Sequence, residues 1–393
     1  MTQIIPLFSR STTISQNYIE ANDPLQQLVA STIYAISLFL LLLSPGQVVK
    51  RLITKDQLIW VVLLIVAASI LWSDFPEITM RRVVALIGNT FFGLYFATHY
   101  DFKRQLNILA WAYGIVALLS IAVALGLPRY GIMNFKDVSG WRGIFLHKNG
   151  LGSGMTLSAL LFMLLFLDGG YKWVKGAFFV ISIALLVLSK SQTALLSFVI
   201  ILGLMPFYRA LRWRSEVAIP FFIIAFLTFA GTSLWLSDNF STVAESVGRD
   251  PTLTGRTPVW SAVWDMILRR PWLGYGYEGF WQSSGSGAAY VWNSVRFKVA
   301  HSHNSFLELM LTIGIIGTFV YYLQFFCLFF KSLNLIRMTN SFSYLWPALF
   351  LSQLLFNSFT EKVFLPYNSL SWAIYISFVF LNIELSRNRQ SSV

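Results

Sequence analysis

Ser305-Phe-Leu-Glu-Leu-Met-Leu-Thr-Ile-Gly-Ile-Ile-Gly-Thr-Phe-Val-Tyr-Tyr-Leu-Gln-Phe-Phe-Cys-Leu-Phe-Phe330 decides the fold. Its one carboxylate, Glu308, lies near the start, and no other charge follows. A helix needs about 20 mostly apolar residues to cross a bilayer, and this run is longer than that. The rest of the chain is of the same kind: of 393 residues, 56% are hydrophobic and 12% charged, where a soluble domain carries about 25% charged residues. Mean hydropathy is +0.63.

Working outward, apolar runs recur at 28–43, 57–72, 83–98, 106–127, 150–167, 174–189, 191–208, 217–236, 304–330, 343–360 and 369–385. The expectation is an all-α polytopic helical membrane protein, a single membrane domain over 1–393 with about eleven (ten to twelve) transmembrane helices. The nearly continuous pair 174–189 and 191–208 reads as a tight hairpin at Ser189-Lys190-Ser191-Gln192, because one straight helix of that length would overshoot the bilayer. Residues 1–27 are polar and lack the charged-then-apolar order of a cleavable signal, so the first apolar run reads as a retained anchor, with room for an interfacial helix in the tail. The single cysteine, Cys327, excludes an internal disulfide.

Charge sets the expected orientation. Fourteen Lys and Arg fall in one set of alternate short connectors, among them Lys50, Lys103, Lys172, Arg209, Lys331 and Arg387, against Arg10, Arg81, Arg82, Lys190 and Lys362 in the opposite set. The richer side is cytoplasmic by the positive-inside rule, which puts the C-terminus in the cytoplasm. Two longer loops, 128–149 and 237–303, fall outside, the second as a long periplasmic loop. The net charge of +12 thus reads as topology, with no nucleic acid partner.

In the long loop, Thr257-Pro258 followed by Val259, Trp260, Val263, Trp264 and Ile267 predicts an amphipathic helix with Thr257 as its N-cap, closed by Arg269-Arg270-Pro271. Arg256 then stands ahead of a helix N-terminus, where backbone N–H groups favour an anion; a phosphate clamp and a solvated loop arginine are both open. Trp272-Leu-Gly-Tyr-Gly-Tyr-Glu-Gly-Phe-Trp281 contains Gly274, Gly276 and Gly279 in the letter of GxGxxG, but no strand precedes it, so it is no dinucleotide site. Trp272, Tyr275, Tyr277 and Trp281 offer flat faces for sugar rings, although interfacial aromatic belts are common in membrane proteins.

Ahead of the deciding run stands His301-Ser-His303-Asn304. Ser305-Phe-Leu-Glu308 has the form of a capping box, which starts the helix at Ser305 and leaves His303 just outside it. The positive end of a helix disfavours an imidazolium, and a neutral imidazole is what a general base requires. Two histidines alone make no recognisable metal site, so no metal and no cofactor is expected. The loop 128–149 adds Arg142 and Lys148, with Gly150 and Gly152 allowing close backbone approach.

His303-Asn304, nine residues, then Gly314-Ile-Ile-Gly317, together with Gly255-Arg256-Thr257, Pro271-Trp-Leu-Gly-Tyr-Gly and Arg142…His147-Lys148-Asn149, resembles the O-antigen ligase and polymerase superfamily. One departure is Ser191-Gln192-Thr193-Ala194, where many members carry an arginine at the position of Gln192; Lys190 or Arg142 could supply that charge. The resemblance implies a metal-independent membrane glycosyltransferase of the bacterial inner membrane. Its donor would be an undecaprenyl-diphosphate-linked glycan, its acceptor a glycan or lipid A–core, and its company membrane lipids and other polysaccharide export proteins. His303 would be the base, with His301 or Glu308 orienting it, and Arg256, Arg142, Lys148 and Lys190 would hold the diphosphate. Polymerisation of exopolysaccharide or O-antigen repeat units is the first expectation; ligation to lipid A–core is the alternative. A lipid-linked sugar flippase or transporter is a third, disfavoured because the apolar runs are nearly free of charge away from their ends.

Overall fold

The computed structural model describes residues 24–43, 57–135, 138–239, 256–282 and 287–381. The polar tail to residue 23, the basic connector at Lys50, Arg51 and Lys55, and Arg387 with Arg389 lie outside the described residues.

Every apolar run coincides with a helix. They are α1 Pro24–Leu42, α2 Leu58–Ala68, α3 Pro76–His99, α4 Phe102–Gly126, α5 Lys148–Leu167, α6 Lys172–Leu188, α7 Gln192–Ala210 and α8 Ser215–Asp238. After two loop helices, α9 Arg256–Arg269 and α10 Gly287–Val295, come α11 Ser305–Arg337, α12 Trp346–Ser358 and α13 Leu370–Val379. Among the described residues, five helices are by length and composition long and apolar enough to cross a membrane: α4, α5, α7, α8 and α11. The expected hairpin is present, α6 and α7 being joined by a turn in which Lys190 takes a φ of +50°. One small departure from all-α is a two-stranded antiparallel ribbon in the loop before α5, β1 Ile132–Phe135 with β2 Val138–Trp141, pairing Ile132 with Trp141.

The starts of these helices are set locally. Asp101 caps α4 by accepting the Arg104 amide at 2.8 Å, and Pro76 opens α3 at a position where no amide hydrogen is needed. α5 lies inside the bundle, with Leu151, Met155, Ala159, Leu160 and Leu164 fully buried. It runs against α6, across which Ser158 and Ser182 share a 2.7 Å hydroxyl bond. Lipid tails are as apolar as leucine, so close packing and such interhelical bonds, more than apolar burial, hold membrane helices together. The outward faces, including Ile224, Leu227 and Leu234 of α8, remain exposed and apolar as lipid contact requires.

α11 is broken. Gly314 sits at φ +68°, ψ −175°, a conformation essentially confined to glycine. The segment 271–275 fills the break: the Ile315 amide donates to the Pro271 carbonyl at 2.8 Å and the Tyr275 amide to the Leu311 carbonyl at 2.9 Å. A side chain at Gly314 would fall on the Trp272 carbonyl, and one at Gly274 (φ +68°) would come within 2.8 Å of the Gly314 nitrogen. A helix broken within a membrane protein survives only where its freed backbone groups find such partners. Of the GxGxxG letters, Gly274 packs into this joint, whereas a side chain at Gly276 or Gly279 would fall on Ser73, and the nine residues between Asn304 and Gly314 form one continuous helical segment ending at the joint.

Candidate active site

α11 begins where Asn304 folds back on it, its Oδ1 accepting the Phe306 and Leu307 amides at 2.9 and 3.2 Å. This corrects the expected capping box: Asn304 is the cap, and Ser305 and Glu308 are used elsewhere. Ser305 Oγ donates to the Glu361 carbonyl at 2.7 Å and accepts the Val363 amide at 2.8 Å, pinning residues 361–363 to the helix start. Glu308, 3% exposed, accepts from the Ser302 amide, Ser302 Oγ and Trp281 Nε1 at 3.0, 2.9 and 3.0 Å. Its bonds grip the residue between the two histidines and do not go to either imidazole.

The turn so made is tight. His303 takes a left-handed φ of +53°, which costs a non-glycine residue on the order of 1 kcal/mol or more. Its amide donates to His301 Nδ1 at 3.2 Å, and the two rings stand 4.1 Å apart between centroids. Burial, and then the neighbouring His303, pushes His301 down to about 4, so His301 is neutral at ordinary pH.

Facing this turn is a residue that sequence reasoning missed. Glu361, in the loop between α12 and α13, brings Oε2 to 3.6 Å from His303 Nδ1. At that distance the contact is electrostatic and not a hydrogen bond, and His303 Nδ1 is buried with no hydrogen-bond partner. The other oxygen, Oε1, accepts Asn149 Nδ2 at 3.3 Å, and Asn149 Oδ1 in turn accepts Ser191 Oγ at 3.1 Å. Burial opposes ionisation of Glu361, but His303, His301 and Arg256 outweigh it and hold the carboxyl below its ordinary range. Next in the chain, Lys362 pairs with Glu278 at 2.6 Å and reaches Glu308 at 3.5 Å.

α9 braces both loops. Arg256 Nη1 donates to the Thr360 carbonyl at 2.9 Å, and Trp260 Nε1, one turn further on, donates to the Ser302 carbonyl at 2.9 Å. Residues four apart share one helix face, which is why a single short helix can hold the His303 and Glu361 segments together. Thr257 lies within this helix and is not the cap expected of it.

The remaining cations gather around the ribbon. Lys148 Nζ donates to the carbonyls of Ser139 (3.3 Å) and Lys190 (3.2 Å), Lys190 Nζ to Ser139 Oγ (3.2 Å), and Arg142 Nε to the Tyr130 carbonyl (2.7 Å). His147, the N-cap of α5, joins the two groups: burial lowers it, Glu361 opposes that, and Lys148, Arg142 and His303 lower it further. Arg142, Lys148 and Glu361 are thus all close enough for His147 to feel their charge. Gln192 is exposed at the start of α7, and the preceding Ser191 holds Asn149.

The four aromatic candidates divide. Tyr275 and Tyr277 are 3% and 2% exposed and donate to the carbonyls of Met266 and Leu365, so neither presents a free face; their expected sugar-stacking role is withdrawn because packing has buried Tyr275 beside the broken helix and Tyr277 beside Ser69 and Leu365. Trp281 is half-buried and bonded to Glu308. Trp272 alone of the four is exposed, at 66%.

The fold and this cluster define a multi-pass all-α membrane protein with histidines, a carboxylate and cations assembled at the entrance of a broken helix. Residues 177–322 match the O-antigen ligase family. Exopolysaccharide production protein ExoQ of Rhizobium meliloti (strain 1021) is 24% identical over 262 residues, 63% of this chain and 59% of that protein. A chain from a solved peptidoglycan synthase complex, described as coordinating polymerization and crosslinking, aligns at 18% identity and a TM-score of 0.44 over 86% of this chain and 98% of its own; that likeness is too distant to bear on function. The chain is thus similar to the O-antigen ligase family over residues 177–322, and the matched part spans less than two thirds of its exopolysaccharide relative's length.

Proposed function

We propose that the protein is a membrane glycosyltransferase that polymerises undecaprenyl-diphosphate-linked repeat units at the outer face of the bacterial inner membrane. The observation that carries this reading is His303 at the helix entrance with Nδ1 turned to Glu361 at 3.6 Å. With Nδ1 so directed, Nε2 is the nitrogen left to take a proton. An acceptor hydroxyl attacks the anomeric carbon, its proton passes to His303, and the bond from that carbon to the diphosphate oxygen breaks. The negative charge that develops on the departing diphosphate calls for preorganised cations, a role suited to Arg256, Arg142, Lys148 and Lys190. Glu361 orients His303 and stabilises the imidazolium as it forms. No step requires a metal, and the apolar helices give the polyprenyl chain a place to lie.

Ligation to lipid A–core is the second reading, favoured by the name of the matched family, whereas the exopolysaccharide relative favours polymerisation. The flippase reading has little support, because the break at Gly314 is filled by backbone from 271–275 and not by ionisable groups.

The test is turnover on a defined undecaprenyl-diphosphate oligosaccharide. Repeats alone should lengthen; lengthening only after lipid A–core is supplied would move the protein to the ligases. His303→Ala should cut turnover by about 10²–10⁴-fold, the usual worth of general-base help, and Arg256→Ala should also impair it. Wild-type rates in both variants would remove the mechanism.

A further inference from the structure

We propose that His301, His303 and Glu361 also form a binding site for a divalent transition-metal ion of the zinc class, and that the bound ion switches the site off. The binding half stands on geometry alone; the silencing half rests on His303 being the base.

One ligand atom from each of the three residues can be chosen so that all lie within 4.8 Å of one another. The 3.6 Å between His303 Nδ1 and Glu361 Oε2 is too long for a hydrogen bond. It is close to the edge, about 3.3 Å, of a tetrahedron whose ligands stand 2.0–2.1 Å from a zinc ion. His303 Nδ1 is buried and makes no hydrogen bond, whereas buried polar atoms are ordinarily paired. The carboxylate is held from behind, Ser191 to Asn149 to Glu361 Oε1, and bonds of this outer kind fix the ligands of metal sites. The nearby cations make their bonds elsewhere, Arg256 to the Thr360 carbonyl and Lys362 to Glu278, although the charge of Arg256 still reaches Glu361. The left-handed turn at His303 brings both rings to one side. His301 must turn off its 3.2 Å contact from the His303 amide, one of the longer bonds in the cluster.

Two imidazoles and one carboxylate suit Zn²⁺ or Co²⁺ and are a poor match for Mg²⁺ or Ca²⁺, which prefer all-oxygen sites. Three protein ligands leave a fourth position for water. An ion so held occupies an imidazole lone pair and pins the ring, and His303 then cannot orient and accept the acceptor's proton.

The test uses the full chain, tag-free and stripped of metal in detergent, titrated with Co²⁺ and read by its visible absorption, followed by Zn²⁺ competition. One equivalent should bind with the absorption of a tetrahedral site, Mg²⁺ should not compete, and His301→Asn and Glu361→Gln should each weaken binding at least about tenfold. Absence of binding, or equal binding in both variants, overturns the site. Turnover on the lipid-diphosphate substrate reads the second half: Zn²⁺ should inhibit in proportion to occupancy, with EDTA restoring the rate. Zinc that binds without slowing turnover overturns the silencing. A chain that binds zinc yet is inactive when metal-free condemns the glycosyltransferase reading and the silencing drawn from it, while the ion site stands.

Discussion

α5 carries a polar cluster at each end, and the two are built on opposite terms. At its C-terminus, Asp168 accepts from Ser341 Oγ at 2.6 Å, from the Phe342 and Ser343 amides at 2.6 and 2.7 Å, and from Ser343 Oγ. Beside it, Arg212 gives its guanidinium to the carbonyls of Ile336, Asn340 and Ser341, each at 3.0 Å. Every lone pair and N–H named there is spent on holding the end of α5 and the α7–α8 connector to α11 and the turn before α12. At the N-terminus, about 30 Å away along a 20-residue helix, His303 Nδ1 has no hydrogen-bond partner and faces a carboxylate across 3.6 Å. A saturated cluster stabilises; an incompletely paired one in a strained turn keeps bonding capacity for a ligand.

The largest test of that contrast is a pair of isosteric changes. Glu361→Gln should lower turnover at least tenfold, since it removes the charge that stabilises a protonated base, worth about 1.4 kcal/mol or more, while the protein stays folded at the assay temperature. Asp168→Asn should do the reverse, lowering stability by about 1–2 kcal/mol through weakened charge-assisted bonds with turnover of the folded protein unchanged. If Asp168→Asn proves to be the inactive variant, the assignment of the two ends is inverted.

Acid should separate the ends next. His301 is held at about 4 in the fold against 6.5 when free. The unfolded chain therefore binds the extra proton first, so stability falls as pH drops from about 6.5 and levels off near 4. For Asp168, burial opposes ionisation, but bonds from Ser341, Ser343 and Phe342 outweigh it and hold it below 3.8. Its contribution is full above that value and fades as pH falls below it. Melting curves between pH 8 and 3 should show the upper step shrink in His301→Asn, the remainder coming from His147, which burial also lowers, while the lower step is retained. An upper step of undiminished size in that variant would mean that His301 does not contribute to it.

The smallest expected effect is at Ser191, 2% exposed, whose hydroxyl holds Asn149 and through it Glu361. Ser191→Ala should slow turnover about threefold, the rate equivalent of roughly 0.7 kcal/mol for one neutral hydrogen bond. An unchanged rate would show that Glu361 is oriented without this chain of bonds.

Much of the fold was legible from composition and spacing. Apolar runs of membrane length located the helices of the bundle, because a bilayer permits no other use for such runs in this composition. His303 was legible as a candidate because it adjoins one of them, and α9 was legible because its apolar period and its closing Arg269-Arg270-Pro271 are local features. Glu361 was not legible. It lies in a short connector and comes beside the start of α11 only when the chain folds back, 56 residues on from Ser305; Lys362 beside it counted merely as one topological charge. The aromatic run misled for a related reason, since Tyr275 and Tyr277 look identical whether they face a sugar or a helix break.

The sequence by itself thus determined an all-α membrane protein with a histidine at a helix entrance, because hydropathy and capping are properties of neighbouring residues. Only the tertiary structure decided which groups meet that histidine, where Ser305 and Glu308 spend their side-chain bonds, and that Gly274 packs into the break at Gly314. Those outcomes depend on distances between segments remote in the chain, which no local pattern encodes.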